Sequence, residues 1–160
     1  RGEPGTLEIK GPNVFSGYWQ NPEKTALEFR DDGFFITGDV SKMDEDGRIS
    51  IVGRAKDLII SGGFNVYPKE IETEIDEIEG VVESAVIGIA HPDFGEGVVA
   101  VVVKQAGVMV EAADIIAALK GRLAKFKQPK KVFFVDNLPR NTMGKVQKKA
   151  LREEYAGLFG

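Results

Sequence analysis

The 160 residues contain no cysteine. That excludes a disulfide framework and every thiolate-ligated metal site, and it fits a cytoplasmic setting. Histidine is almost as scarce. His91 stands alone, so paired-histidine metal centres and histidine-rich catalysis are excluded. No apolar run approaches the ~18 residues of a membrane helix; the longest clear one is Val98–Val103. The chain opens Arg-Gly-Glu-Pro, with neither an initiator Met nor a signal-peptide pattern, and so reads as a piece of something longer or as a processed product.

What is present is ordinary globular material, 42% hydrophobic and 29% charged. The net charge of −4 hides an asymmetry. Residues 70–79 carry six acids, whereas residues 120–152 carry eleven Lys or Arg and one acid, Asp136. A basic segment of this kind points to an anionic partner such as a nucleotide, with a solvated charged face as the bland alternative. Nucleic acid is disfavoured. The basic residues are not interleaved with stacking aromatics, and the pI of about 5.2 is low for that role. The acids at 70–79 read as a solvated helix face, and no metal site is expected from them.

Turn signals crowd residues 1–56, with short β-type runs at Thr6–Lys10, Phe34–Thr37, Val40–Met43 and Arg48–Gly53. Asn21 and Pro22 open a short helix over 22–29. This half has little to build a core from. Beyond residue 56 the pattern changes. A strand at 57–61 precedes a helix over 68–78, with Pro68 at its start and Ile71, Ile75 and Ile78 at helical spacing. Strands at 81–90 and 98–104 follow, joined by "HPDFGEG", in which His91 reads as a turn residue. Then come a helix over 112–123, a strand over 131–135 and a closing helix over 147–158. The order β-α-β-β-α-β-α predicts an α/β (α+β-like) domain, a mixed sheet with flanking helices. The expected division is a β-rich 1–55 and a small domain at 56–160.

Three stretches could carry chemistry. Thr37-Gly38-Asp39 ends a β run, and a carboxylate beside glycine suits a ribose diol, or else makes an ordinary turn. Arg54, Lys56 and the pair Gly62-Gly63 fall where the composition shifts. Lys56 is a candidate hinge. The glycines allow close approach of a ligand chain, or form a tight turn needing φ > 0. Finally, "LPRNTMGKVQKK" places Lys145 on a Pro/Asn/Gly-rich, pliable loop. It is not a phosphate-loop lysine, because Pro139 and Val146 occupy positions where Gly and Ser/Thr are required. It is a long cation able to stabilise charge developing at a phosphoryl centre.

In this order, "GTLEIKGPNVFSGYWQNPEKT", "FITGD", "GRISIVGRAKDLIISGGFNVYPKEIE" and "LPRNTMGKVQKKALRE" resemble four motifs of the C-terminal part of the adenylate-forming superfamily. That superfamily includes acyl-CoA synthetases, adenylation domains and firefly luciferase. The segments "HPDFGEGV", "SGGFNVYPKEIE" and "GRLAKFKQPKKVFFVDNLPRNTMGKVQK" are worded like malonyl-CoA synthetases.

The resemblance implies a carboxylic acid substrate (malonate or a related acid), ATP with Mg2+, and coenzyme A. It makes residues 1–55 the β-rich end of the large N-terminal domain and residues 56–160 the small mobile domain. Asp39 would hold the ribose hydroxyls with help from Arg54. Lys56 would be the hinge, often Asp in the family. Lys145 would be the catalytic lysine, and Gly62 and Gly63 would line the pantetheine path. The phosphate loop, adenine contacts and Mg2+ ligands of the family lie outside these residues, so the segment alone is expected to be inactive. "PRNTMGK" also fits the P-x4-G-K wording around acetylated lysines of acyl-CoA synthetases, making a protein acetyltransferase a candidate partner at Lys145. Two other readings stand beside this one: an adenylation domain that loads a carrier protein, and a non-catalytic module that binds anions.

Overall fold

The computed structural model describes residues 2–160. It divides into two units, Arg1–Lys56 and Asp57–Gly160. The first is an antiparallel meander of β1 (Gly5–Ile9), β2 (Phe35–Met43) and β3 (Ile49–Arg54), with α1 (Pro22–Glu28) between β1 and β2. Asn21 caps α1 by accepting the Lys24 N–H at 3.0 Å, and Pro22 fills the first helical position. Packing rests on aromatic edges: Phe15 meets Tyr18, Phe29 and Phe35 with ring centroids 5.1–5.3 Å apart. Among the described residues of this unit only Val40 is buried, as expected of a stretch with so little core material.

In the second unit, strand β7 (Gly95–Lys104) is central. It pairs antiparallel with β6 (Val81–His91) along one edge. Its other edge is shared by β4 (Ile59–Ser61), antiparallel at Gly95, and β8 (Lys131–Val135), parallel from Val99 to Val103. Strand β5 (Phe64–Val66) closes a hairpin with β4. This is the one strand that the sequence reading omitted; three residues give too short a run to register. The mixed sheet with helices agrees with the expected fold class.

The valine run of β7 is buried on both faces, which is why it reads as continuous rather than alternating. Val98, Ala100 and Val102 pack beneath α2 (Pro68–Asp76) and α3 (Ala112–Leu119), against Ile71, Ile75, Ile115 and Leu119. Val99, Val101 and Val103 face the opposite cluster, with Leu138 and Leu151. Leu151 belongs to α4 (Lys148–Glu154). The helices stop short of their expected ends. Gly121 and Gly157 follow α3 and α4 closely, Gly157 at φ +80°, yet Leu123 and Leu158 still pack from the turns beyond.

The acidic face of α2 is a correction to the sequence reading. It is met by the basic segment instead of by solvent alone. Lys127 reaches Glu70 at 2.6 Å, and Arg122 lies 3.2 and 3.3 Å from Glu74 and Glu77. Glu72 is buried, and its Oε1 accepts the Val86 N–H at 2.9 Å and Lys148 Nζ at 2.6 Å. These pairs arise because the chain folds its basic C-terminal part back over α2. The exposed ones contribute little stability; the buried one matters because neither partner can be left alone.

Replacing Glu72 by Ala strands the Lys148 ammonium and the Val86 N–H, and is expected to cost about 3 kcal/mol. Glu72→Gln keeps an acceptor for Val86 and is expected to cost less. Urea denaturation of both variants checks the order; equal losses would show that the acceptor for Val86 adds nothing beyond the charge paired with Lys148.

Candidate functional site

In the first unit the candidate residues sit on a distortion of β2. Thr6 pairs with Val40 and Glu8 with Ile36, so Leu7 of β1 faces three residues of β2, Thr37, Gly38 and Asp39. The extra residues form a bulge inside a continuous nine-residue strand, where the sequence reading expected a strand end. Gly38 has φ +73°, a left-handed conformation that glycine adopts without the penalty of a Cβ. Thr37 Oγ1 donates to Leu7 O at 2.8 Å and accepts the Asp39 N–H at 3.1 Å, which fixes the bulge.

Asp39 stands opposite Arg54 in the β2–β3 register. Arg54 Nε lies 3.0 Å from Asp39 Oδ1, and Arg54 Nη1 donates to Thr37 O at 2.9 Å. The guanidinium thus bridges both ends of the tripeptide. Among the described residues Arg54 is the partner of the Asp39 side chain through Oδ1, which leaves Oδ2 as an acceptor for a ligand. The structure therefore brings Asp39 and Arg54 together. Lys56 is exposed, on a 3-10 turn at Ala55–Asp57.

In the second unit Gly62 and Gly63 form the two-residue turn of the β4–β5 hairpin, with φ of +59° and +81°. Positive φ at both central positions is the type I′ requirement, so the tight-turn reading of these glycines holds. The hairpin is anchored. Gly62 N–H donates to Phe94 O at 2.8 Å, Ile60 N–H donates to Glu96 Oε2 at 2.7 Å, and Phe64 stacks on Phe126 at 4.5 Å. Both glycines remain exposed at the tip. His91 is the last residue of β6, paired with Gly95, so it lies on the strand and not in the turn that the sequence reading expected; its Nδ1 accepts the Asp93 N–H and its ring packs on Phe94 and Phe159.

The Lys145 loop is more ordered than its composition implies. Asn141 Oδ1 accepts the N–H of Met143 at 3.0 Å and of Lys145 at 2.9 Å. The Asn141 N–H donates to Lys145 O, and the Gly144 N–H to Asn141 O, each at 2.9 Å. Arg140 Nη1 donates to Gly144 O at 2.6 Å, while Nη2 pairs with Glu83 on β6. Gln147 N–H closes the loop on Pro139 O at 2.7 Å. The pliable loop of the sequence reading is thus a hydrogen-bonded cage. Lys145 projects from it exposed, and among the described residues its ammonium forms none of the ion pairs that occupy Lys127 and Lys148.

Four contributors escaped the sequence reading: Asn141, Arg140 with Glu83, Lys148 with Glu72, and Arg152, which lies 3.3 Å from Asp57. Asn two residues before an N–H it can accept is a recognisable turn signal. The ion pairs join residues 57 to 95 positions apart and have no local signal.

Among the described residues no three His, Asp or Glu side chains are grouped to hold a metal ion, and no helix is long and apolar enough to cross a membrane. Residues 70–145 match the AMP-binding enzyme C-terminal domain. The chain is 48% identical, over 96% of its length, to 3-[(3aS,4S,7aS)-7a-methyl-1,5-dioxo-octahydro-1H-inden-4-yl]propanoyl:CoA ligase of Rhodococcus jostii, and covers 30% of it. It is 46% identical over 96% of its length to a feruloyl-CoA synthase of Amycolatopsis, covering 31% of that protein. The crystal structure of ATP-bound MatB from Rhodopseudomonas palustris superposes on the whole chain with a TM-score of 0.92 and 65% identity, the chain covering 32% of it. It thus spans about a third of the length of these relatives. Its matched domain, its acyl-CoA ligase relatives and its fold agree: the chain carries the AMP-binding enzyme C-terminal domain of the adenylate-forming superfamily and corresponds to the C-terminal portion of its acyl-CoA ligase relatives.

Proposed function

We propose that these residues are the C-terminal part of an AMP-forming acyl-CoA ligase, with residues 1–55 closing its large domain and 56–160 forming a small domain that reorients at Lys56. What carries this reading is the exposed Lys145 on a hydrogen-bonded loop, without an ion-pair partner among the described residues, in a chain whose relatives are CoA ligases. The reaction has two halves. A substrate carboxylate attacks the α-phosphorus of ATP and expels pyrophosphate, giving an acyl-adenylate. The CoA thiol then attacks the acyl carbon, loses its proton and expels AMP.

Asp39 holds the ribose hydroxyls through Oδ2, and Arg54 orients the carboxylate by occupying Oδ1. In the first half Lys145 approaches the carboxylate and α-phosphate, where its charge offsets the charge that builds up on the phosphoryl oxygens. In the second half the lysine must leave, since it would stand in the path of the thiol. Placing it on a domain that rotates about Lys56 solves this. The same rotation brings the Gly62-Gly63 tip to the pantetheine arm, which the absence of side chains admits closely. Mg2+, when bound, would further neutralise the phosphates; among the described residues no group of His, Asp or Glu side chains would hold it.

Malonate or a related acid is the proposed substrate, on the likeness of three segments to malonyl-CoA synthetases. Lys145 is also the proposed target of a protein acetyltransferase, since acetylation would remove the charge that adenylation needs. A carrier-protein thiol in place of CoA is the second reading; CoA-dependent AMP release by the full protein separates the two.

In the full-length protein Lys145→Ala is expected to lower acyl-adenylate formation by about 100-fold or more, while thioester formation from preformed acyl-adenylate is spared. Equal loss of both half-reactions would refute the assignment. Asp39→Ala is expected to raise the KM for ATP about tenfold or more through loss of a charged acceptor, measured by pyrophosphate exchange; an unchanged KM would remove Asp39 from the nucleotide site. In a panel of malonate, methylmalonate, acetate and longer acids, CoA-dependent AMP formation is expected to be fastest with malonate, and a preference for a long or aromatic acid would overturn that choice.

A further inference from the structure

The Lys145 loop raises a question that the proposed chemistry leaves open. A lysine that acts for one half-reaction and withdraws for the other must arrive with its backbone already placed, or each arrival costs the ordering of a loop. The loop is ordered chiefly by one side chain. Asn141 Oδ1 accepts two N–H groups, those of Met143 and of Lys145 itself, at 3.0 and 2.9 Å. The main chain of the same residue forms two more bonds, with Lys145 O and Gly144 N. Arg140 ties the cage to the sheet by bridging Gly144 O and Glu83, and the Lys148–Glu72 pair fixes the helix start three residues after Lys145.

We propose that Asn141 is a positioning residue for Lys145: its side-chain oxygen holds the Lys145 backbone, so that the root of the lysine side chain moves with the domain as a whole. This rests on the reading of Lys145 as the lysine of adenylation. Asn141 half-buries its amide against the loop while Lys145 points outward, so the residue acts through Lys145 and not on substrate. An oxygen at this position is what the geometry uses. Aspartate supplies one; alanine does not.

The test uses the full-length protein and three variants, Asn141→Ala, Asn141→Asp and Lys145→Ala. Two readouts are taken: both half-reactions, and amide hydrogen exchange over residues 139–147. For Asn141→Ala we expect the kcat of adenylation to fall about 10- to 100-fold, the effect of a displaced catalytic group, with the KM for ATP and the thioester half-reaction unchanged and faster exchange in the loop. Asn141→Asp should restore slow exchange and recover most of the adenylation rate. If Asn141→Ala slows both half-reactions equally, the residue is scaffold only and the inference fails. If Asn141→Ala adenylates normally while Lys145→Ala does not, the inference fails and the reading of Lys145 stands. If Lys145→Ala itself adenylates normally, the reading fails and takes the inference with it.

Discussion

Strand β7 has no solvent face. Its residues Val98–Val102 are 0% exposed, so the sheet around it must be covered on both sides. Helices α2 and α3 cover one face through Ile71, Ile75, Ile115 and Leu119, and α4 covers the other through Leu151. Burial of these side chains contributes roughly 1.5–3 kcal/mol apiece before conformational entropy is subtracted. The need to cover the second face explains why α4 exists where it does. It also explains why the loop that leads into α4 is pinned to the body of the domain.

Charge is arranged around that packing. The basic C-terminal segment and the acidic α2 are far apart in sequence and meet across the fold, through Lys127–Glu70, Arg122 with Glu74 and Glu77, and Lys148–Glu72. Most of these are exposed pairs of small energetic worth that set orientation more than stability. Their consequence for function is by subtraction. Several cations of the 120–152 segment are neutralised internally, while Lys145 is left exposed and unpaired among the described residues, free to meet an anion brought to it.

Both candidate centres follow one physical pattern, a polar group presented by a locally irregular backbone that is held by hydrogen bonds of its own. At Asp39 it is a strand bulge with a left-handed glycine, locked by Thr37 and Arg54. At Lys145 it is a loop closed on Asn141. Irregular backbone exposes side chains that regular strands would bury or align, and the internal bonds prevent that exposure from becoming disorder.

The sequence by itself determined the helices and the long strands, because apolar period, Pro at helix starts and Gly at turns are local signals. It also determined the family and the identity of the candidate residues, since four motifs in fixed order carry them. It did not reveal the short β5, whose pairing depends on β4 rather than on its own three residues. Nor did it reveal that Asp39 lies within a strand instead of at its end, or that the acids of α2 have partners. Those outcomes depend on contacts between residues distant in sequence, and such contacts leave no mark on local composition. The Lys145 loop shows the division most clearly. Its Pro, Asn and Gly announced a turn, but only the tertiary structure decided how that turn is tied to the domain, because Arg140 needed Glu83 of β6 and Lys148 needed Glu72 of α2.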